Sequence, residues 1–156
     1  MIRSYFGITE NPFSQDSIDL LHHQQEIYDI LKVHSTQGGL CLLMGEPGTG
    51  KTIIKEAIKQ KTEKNQVVVS IARTLHTYTN ICGILCDAFG LEYTGTSFTL
   101  ERRLIESALA LYRSGRSLVI IIDDAHLLDM EVLRRIRLLL EDFPKNHNLI
   151  LIGQPE

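Results

Sequence analysis

Residues 45–52 read Gly45-Glu46-Pro47-Gly48-Thr49-Gly50-Lys51-Thr52 and match the pattern G-x-x-x-x-G-K-[ST] at every fixed position. Glycines allow successive backbone amides to turn inward around an anion, in conformations that side chains forbid. Lys51 would reach the β- and γ-phosphates of a nucleotide, and the hydroxyl of Thr52 would be free to ligate Mg²⁺. The pattern therefore predicts a site for ATP or ADP. Its expected contact residues are Gly45, Glu46, Pro47, Gly48, Thr49, Gly50, Lys51, Thr52 and Ile53.

The segments on either side of this loop have the order that the pattern requires. Residues 40–44 are a short continuous apolar run, typical of a strand that is buried on both faces. After the loop, four apolar residues share one face of a helix: Ile53, Ile54, Ala57 and Ile58. A strand, a glycine loop and a helix favour phosphate binding over the alternative, a plain glycine-rich turn.

The rest of the chain alternates between strands and helices. Apolar runs at 66–71, 118–122 and 148–152 predict three further strands, and periodicity predicts helices over about 18–37, 78–90, 98–114 and 129–142. The first of these helices should bury Ile27, Ile30, Leu31 and His34. Alternation of this kind predicts a mostly parallel sheet between two layers of helices, an α/β fold with three layers in α-β-α order. With 44% apolar residues in 156, the chain has the material for one domain.

Composition narrows the functional class. No apolar run approaches the roughly 20 residues that span a bilayer, so we expect no integral membrane segment. The N-terminus lacks a signal pattern, which predicts a cytoplasmic protein. Three cysteines are an odd number, and we expect Cys82 and Cys86 to be small core residues rather than disulfide partners or metal ligands. The net charge of −3 gives no indication of nucleic-acid binding.

Two acidic residues follow the most apolar strand. Asp123 and Asp124 should lie at the carboxyl edge of the sheet, where ligands of open α/β sheets bind. Asp123 is the candidate Mg²⁺ ligand together with Thr52, and Asp124 is the candidate for orienting the water that attacks the γ-phosphate. The alternative is a pair of aspartates that cap a helix. We expect His126 to face solvent or to lie behind the site rather than to act in catalysis.

These motifs together resemble a known family. The glycine loop and the acidic pair are similar to Walker A and Walker B motifs. Tyr5-Phe6-Gly7-Ile8 and Asn11-Pro12-Phe13 resemble the opening of the ExeA/GspA-like branch of the AAA+ ATPases. Asp123-Asp124-Ala125-His126, and a strand that ends in Gly153-Gln154-Pro155, resemble the same branch.

The resemblance implies a P-loop NTPase core (the AAA+ core) with four strands in the order 1-4-3-2. Residues 1–156 would form a single nucleotide-binding core, with 1–16 as an N-terminal arm. Lys51, Asp124 and Gln154 would be the catalytic residues, with Gln154 sensing the γ-phosphate; the alternative for Gln154 is a plain strand-end residue. Pro12 and Phe13 would lie near the base, or the arm would simply cover apolar surface.

The sequence departs from the family in two respects. Asp124 stands where the family commonly has Glu, which moves the carboxylate by about 1 Å, and misplacement on that scale costs about a hundredfold in rate. The family's fifth strand, second sensor arginine and helical lid would follow Gly153-Gln154-Pro155, so we expect a core without a lid. The strand at 40–44 would then be an apolar edge.

Two functions remain open. The first is an ATPase that hydrolyses ATP with Mg²⁺ to drive or switch assembly with DNA or protein, as a transposition helper or an ExeA-like secretion ATPase. The second is a nucleotide-dependent switch with little hydrolysis. Expected partners are further copies of the full-length chain and DNA, a transposase or a secretion-system protein. Two basic clusters either contact such partners or form a solvated face: Lys55, Lys59 and Lys61, and Arg134, Arg135 and Arg137.

Overall fold

The computed structural model describes residues 18–72 and 77–155. These residues form α1 (His22–Gln37), β1 (Gly39–Met44), α2 (Lys51–Gln60), β2 (Gln66–Ile71), α3 (Tyr78–Phe89), α4 (Ser97–Arg113), β3 (Ser117–Ile122), α5 (Met130–Glu141) and β4 (His147–Gly153). The proposed N-terminal arm, with Pro12 and Phe13, lies outside the described residues. Within those two ranges, none of the helices combines the length and apolar character that a membrane crossing needs.

The described strands form one parallel sheet in the order β1-β4-β3-β2, which confirms the predicted 1-4-3-2 order. Because all four strands run in one direction, their carboxyl ends meet at one edge of the sheet. Gly45 follows β1, Asp123 follows β3 and Gln154 follows β4. The strand order therefore brings the glycine loop, the acidic pair and Gln154 to neighbouring positions.

Helices cover the sheet on both faces, which confirms the three-layer sandwich. Side chains alternate along the central strands, so each face receives its own apolar core. One core lies under α1 and α2 and contains Leu31, Cys41, Leu43, Ile54, Val119, Ile121, Ile150 and Ile152. The larger core lies under α3, α4 and α5. Leu118 to Ile122 of β3 are all buried, so this strand holds the acidic pair on a rigid support.

Strand β1 lies at one edge of the described sheet, as predicted. Cys41 and Leu43 are buried on the α1 side, whereas Leu40, Leu42 and Met44 on the opposite side are 61%, 60% and 53% exposed. The expectation that this strand is buried on both faces is therefore wrong. The uncovered face is the one that α3, α4 and α5 cover on the neighbouring strands.

Helix α1 differs from its predicted limits and orientation. It begins at His22, where the side-chain Oε1 of Gln24 accepts the backbone N–H of Leu21 at 3.0 Å. Ile30 is 59% exposed and His34 is also exposed, so the predicted inward face is wrong at both positions. Leu31 is buried and Ile27 is partly buried against the core, as predicted, and the other buried residues of the helix are Gln24, Tyr28 and Ser35. The inward face contains polar side chains, which apolar periodicity does not reveal.

The cysteines are free and buried, as expected of core residues. Cys82 and Cys86 are 1% and 0% exposed in the larger core. Burial raises the pKa of Cys82 to about 11, so its thiol stays protonated at neutral pH and is a poor nucleophile.

Candidate nucleotide-binding site

The glycine loop, residues 45–52, continues directly from β1. Its first backbone N–H, from Gly45, donates to the carbonyl of Gly153 at 3.3 Å, which joins the loop to the end of β4. Gly48 and Gly50 have φ angles of 82° and 85°, in the left-handed region that glycine adopts most easily. The backbone N–H and the hydroxyl of Thr49 donate to the carbonyl of Glu46 at 3.3 and 2.8 Å and close the turn.

The loop ends at the N-terminus of α2. Gly50 occupies the capping position, and no side chain caps the helix there. The first amides of α2 are therefore available to an anion, and the helix dipole favours negative charge at the same place. The Lys51 ammonium donates to the carbonyls of Gly45 and Glu46 at 2.6 and 2.8 Å, so it lies across the loop. Thr52 is exposed, and Ile53 is 44% exposed rather than part of the buried helix face.

Gln24 supports the loop from below, a role that the sequence did not suggest. Its side chain is 5% exposed, and a Cβ added to Gly50 would lie 2.3 Å from its Nε2 atom. The first turn of α1 therefore packs directly against the glycine loop. A glutamine in the first turn of a helix is expected at the surface. Only the tertiary contact with Gly50 shows that Gln24 supports the loop.

Asp123 lies at the end of β3 and faces α2. Its Oδ2 atom accepts from the Lys55 ammonium at 2.5 Å, and its Oδ1 atom accepts the backbone N–H of Asp124 at 3.0 Å. Lys55 is one helical turn beyond Lys51, so this contact brings the acidic pair against the helix that begins at the glycine loop. The sequence placed Lys55 in a basic cluster and missed this contact with a residue 68 positions away.

Asp124 has a left-handed backbone, with φ 51° and ψ 39°, and is the non-glycine residue with positive φ in the described chain. Asp and Asn tolerate this conformation better than most residues because their short polar side chains bond locally. The side chain of Asp124 caps no helix; α5 is capped by Asp129, whose carboxylate accepts the N–H of Glu131 at 2.7 Å. The helix-capping interpretation is therefore wrong for Asp124.

Gln154 and His126 lie beside the end of β4. Gln154 is half-buried and follows Gly153, which pairs with Met44 in register. A Cβ added to Gly153 would lie 3.4 Å from the backbone nitrogen of His126, so the turn after Asp124 packs against Gly153. The Nδ1 atom of His126 is buried without a hydrogen-bond partner among the described residues. His126 is thus half-buried against Gly153 at the end of β4.

The three arginines of α5 have different surroundings. Arg134 and Arg137 are 71% and 80% exposed and pair with acidic residues of their own helix. The guanidinium carbon of Arg135 lies 3.7 Å from the ring centroid of Tyr78. The Tyr78 hydroxyl donates to Glu101 at 2.6 Å, and Arg135 lies 3.8 Å from the same carboxylate. Arg135 therefore connects α3, α4 and α5, although its side chain is 43% exposed.

Replacing Arg135 by alanine should lower the free energy of unfolding by about 1–2 kcal/mol, because it removes a cation–π contact and an ion pair at the junction of three helices. Arg134→Ala and Arg137→Ala are the matched controls and should change it by less than about 0.5 kcal/mol. Urea denaturation measures all three. Equal losses from the three variants would contradict the assignment of Arg135.

The donor groups at this edge fit a magnesium nucleotide. A hydroxyl from Thr52 and a carboxylate from Asp123 are the oxygen ligands that Mg²⁺ accepts. The contact with the Lys55 ammonium shows that the Asp123 carboxylate already binds a positively charged group in this fold. The uncapped helix and the two left-handed glycines suit the phosphates.

Comparison with known proteins agrees with this fold and site. Residues 33–156 match the family described as AAA domain. General secretion pathway protein A of Aeromonas hydrophila is 30% identical over 169 residues, covering 100% of this chain and 30% of that protein. Cdc6p from Pyrobaculum aerophilum has a TM-score of 0.68 at 22% identity, covering 92% of this chain and 42% of that one. The Aeropyrum pernix ORC1 protein, solved in complex with DNA, has a TM-score of 0.65 at 20% identity, covering 89% and 40%.

The chain spans less than a third of the curated relative and under half of either solved chain. The identities to the solved structures are low, so those two matches show the fold alone. The family match covers most of the chain, and the curated relative, a general secretion pathway protein A, is of the ExeA/GspA-like branch that the sequence motifs resemble. The chain therefore belongs to the AAA domain family, and its resemblance to the ExeA/GspA-like AAA+ ATPases is confirmed.

Proposed function

We propose that this chain is an ATPase core that binds ATP or ADP with Mg²⁺ on the glycine loop and hydrolyses ATP. The observation that carries the proposal is the meeting of an uncapped helix N-terminus with the acidic end of β3, joined by the contact of Lys55 with Asp123. This arrangement places cationic and amide donors beside carboxylates at one edge of the sheet. Residues 1–156 would form one core with 1–16 as its arm, in a cytoplasmic protein.

Each residue has a distinct role in this proposal. The amides of the glycine loop and the ammonium of Lys51 bind the phosphates, and Lys51 must leave the carbonyls of Gly45 and Glu46 to do so. Thr52 and Asp123 hold the metal. Bound Mg²⁺ would neutralise charge that develops on the phosphates. Asp124 orients the attacking water, and Gln154 contacts the γ-phosphate.

The direct test is equilibrium binding of ADP and ATP, measured by calorimetry with Mg²⁺, alongside steady-state phosphate release. Micromolar to millimolar binding and slow phosphate release are expected for the chain alone. Absence of binding by either nucleotide at millimolar concentration would overturn the proposal. Phosphate release without saturable binding would indicate a contaminating ATPase.

A nucleotide-dependent switch with little hydrolysis is the second candidate. The observation in its favour is Asp124 itself, because its carboxylate is one methylene shorter than that of Glu and its backbone is left-handed. That conformation makes Asp a better fit to the turn than Glu, at the expense of reach toward the γ-phosphate. Such a protein would hold ATP and assemble on a partner, with hydrolysis as a slow release step.

Replacing Asp124 by glutamate tests the two candidates. We expect phosphate release to rise about 10- to 100-fold because the carboxylate reaches further, and the free energy of unfolding to fall by about 1 kcal/mol because Glu tolerates a left-handed backbone poorly. Asp124→Asn is the matched control: it keeps the backbone preference and should abolish release without loss of stability. If Asp124→Glu releases phosphate no faster than the natural chain, carboxylate length does not limit turnover.

Two relatives support a proposal about which partners the full-length protein would contact. The curated relative is named for general secretion, and one structural relative was solved with DNA. We propose that the full-length protein forms homo-oligomers and couples nucleotide state to DNA, a transposase or a secretion-system protein. Exposed Arg134 and Arg137 are the available cations on α5 for such contacts. Nucleotide-dependent binding to a DNA duplex, compared between the natural chain and an Arg134→Ala/Arg137→Ala variant, tests the DNA branch.

A further inference from the structure

Lys55 and Asp123 form an ion pair inside the proposed site. The Lys55 ammonium lies 2.5 Å from Oδ2 of Asp123, and the two side chains are only 15% and 21% exposed. The other carboxylate oxygen of Asp123 is held by the backbone N–H of Asp124. Both oxygens of the candidate metal ligand are therefore already occupied by donors of this chain.

Three lysines at four-residue intervals on α2 have different nearest partners, although Lys55 also lies 3.9 Å from Glu56. Lys51 lies across the glycine loop, Lys55 reaches the end of β3, and Lys59 pairs with Glu56 at 2.9 Å on the surface. Lys59 is 42% exposed, whereas Lys55 is 15% exposed. The helix thus directs one lysine to the phosphate loop and the next to the acidic pair.

We propose, on the basis of the proposed function, that the Lys55 ammonium is the counter-ion of the Asp123 carboxylate. Lys55 thereby sets how much Mg²⁺ strengthens nucleotide binding. A largely buried carboxylate needs a positive partner, and Lys55 supplies it when the metal is absent. The same ammonium repels a divalent cation and competes for Oδ2. Lys55 is therefore a positioning residue: it keeps Asp123 in place and weakens the gain that Mg²⁺ brings.

The test measures ADP affinity in EDTA and in saturating Mg²⁺ for the natural chain and for Lys55→Met, which keeps most of the aliphatic stem. We expect the dissociation constant in EDTA, divided by that in Mg²⁺, to be about tenfold larger for Lys55→Met than for the natural chain. The reason is that Mg²⁺ no longer meets a competing charge at Asp123. Lys59→Met on the same helix and Lys55→Arg, which keeps the charge, should stay within about twofold of the natural ratio. A ratio for Lys55→Met within about twofold of the natural one would overturn the inference. Failure of the natural chain to bind ADP in either buffer would overturn the proposed function instead.

Thermal unfolding without nucleotide gives a second readout. Lys55→Met should melt at a lower temperature than the natural chain, and added Mg²⁺ should raise its melting temperature more than that of the natural chain, because the metal replaces the missing cation. If Lys55→Met does not fold, the double variant Lys55→Met/Asp123→Asn should fold, since it removes both charges. The inference is contradicted if the double variant is no more stable than Lys55→Met. It is also contradicted if Mg²⁺ does not raise the melting temperature of Lys55→Met more than that of the natural chain.

Discussion

Replacing Lys51 by alanine should weaken ADP binding by about 10- to 100-fold and abolish phosphate release. The ammonium of Lys51 is a charged donor at the mouth of the loop, and charged hydrogen bonds contribute about 1.5–3 kcal/mol each. In the structure it rests on the carbonyls of Gly45 and Glu46 at 2.6 and 2.8 Å, close to where phosphate oxygens would replace them. Calorimetric titration with ADP in Mg²⁺ measures the loss.

Lys59→Ala is the matched control for this change. Lys59 is on the same helix two turns further on, carries the same charge and pairs with Glu56 away from the loop. It should bind ADP as the natural chain does. Equal loss in both variants would mean that general positive charge on α2, rather than the loop, attracts the nucleotide, and the proposed site would be wrong.

Replacing Gly50 by alanine should lower the free energy of unfolding by about 2–4 kcal/mol and remove nucleotide binding. The φ angle of 85° costs about 1–2 kcal/mol for a residue with a side chain. The new Cβ would also lie 2.3 Å from Nε2 and 3.3 Å from Cδ of Gln24. Gln24 is buried and bonded to the backbone of Leu21, so moving it disturbs the start of α1. Urea denaturation measures the stability and titration with ADP measures the site.

Gly48→Ala separates these two causes. Gly48 has a φ angle of 82°, but an added Cβ meets nothing within 4 Å, so only the backbone cost of about 1–2 kcal/mol applies. Adding Gln24→Ala to Gly50→Ala should recover part of the lost stability because it makes room for the methyl group. If Gly48→Ala and Gly50→Ala lose the same amount, the contact with Gln24 has no energetic weight.

The framework of the fold follows from local sequence. Five successive apolar residues before Asp123 predict the central strand, and the loop at 45–52 requires a strand before it and a helix after it. The strand order was available only through the family resemblance, because periodicity does not specify which strands are neighbours. Elements dominated by apolar burial were therefore predictable.

Polar residues with tertiary partners were harder to predict. Gln24, Lys55 and Arg135 all look like surface residues in sequence, and each is placed by a contact with a residue at least 26 positions away. The prediction for Ile30 was wrong in the opposite sense: an apolar residue that was expected to be buried is 59% exposed. Which face of a helix turns inward depends on its neighbours in space, and those neighbours come from other segments.

The position of β1 links nucleotide binding at the glycine loop to pairing at the edge of the sheet. This strand supports the glycine loop, and among the described strands it is bonded to β4 alone. A chain that pairs with its free side would hold Gly45 more firmly, and ligand binding at the loop would in turn order that pairing edge. By thermodynamic reciprocity each event would raise the affinity for the other by the same factor. Nucleotide affinity is then a measure of what occupies the edge of the sheet.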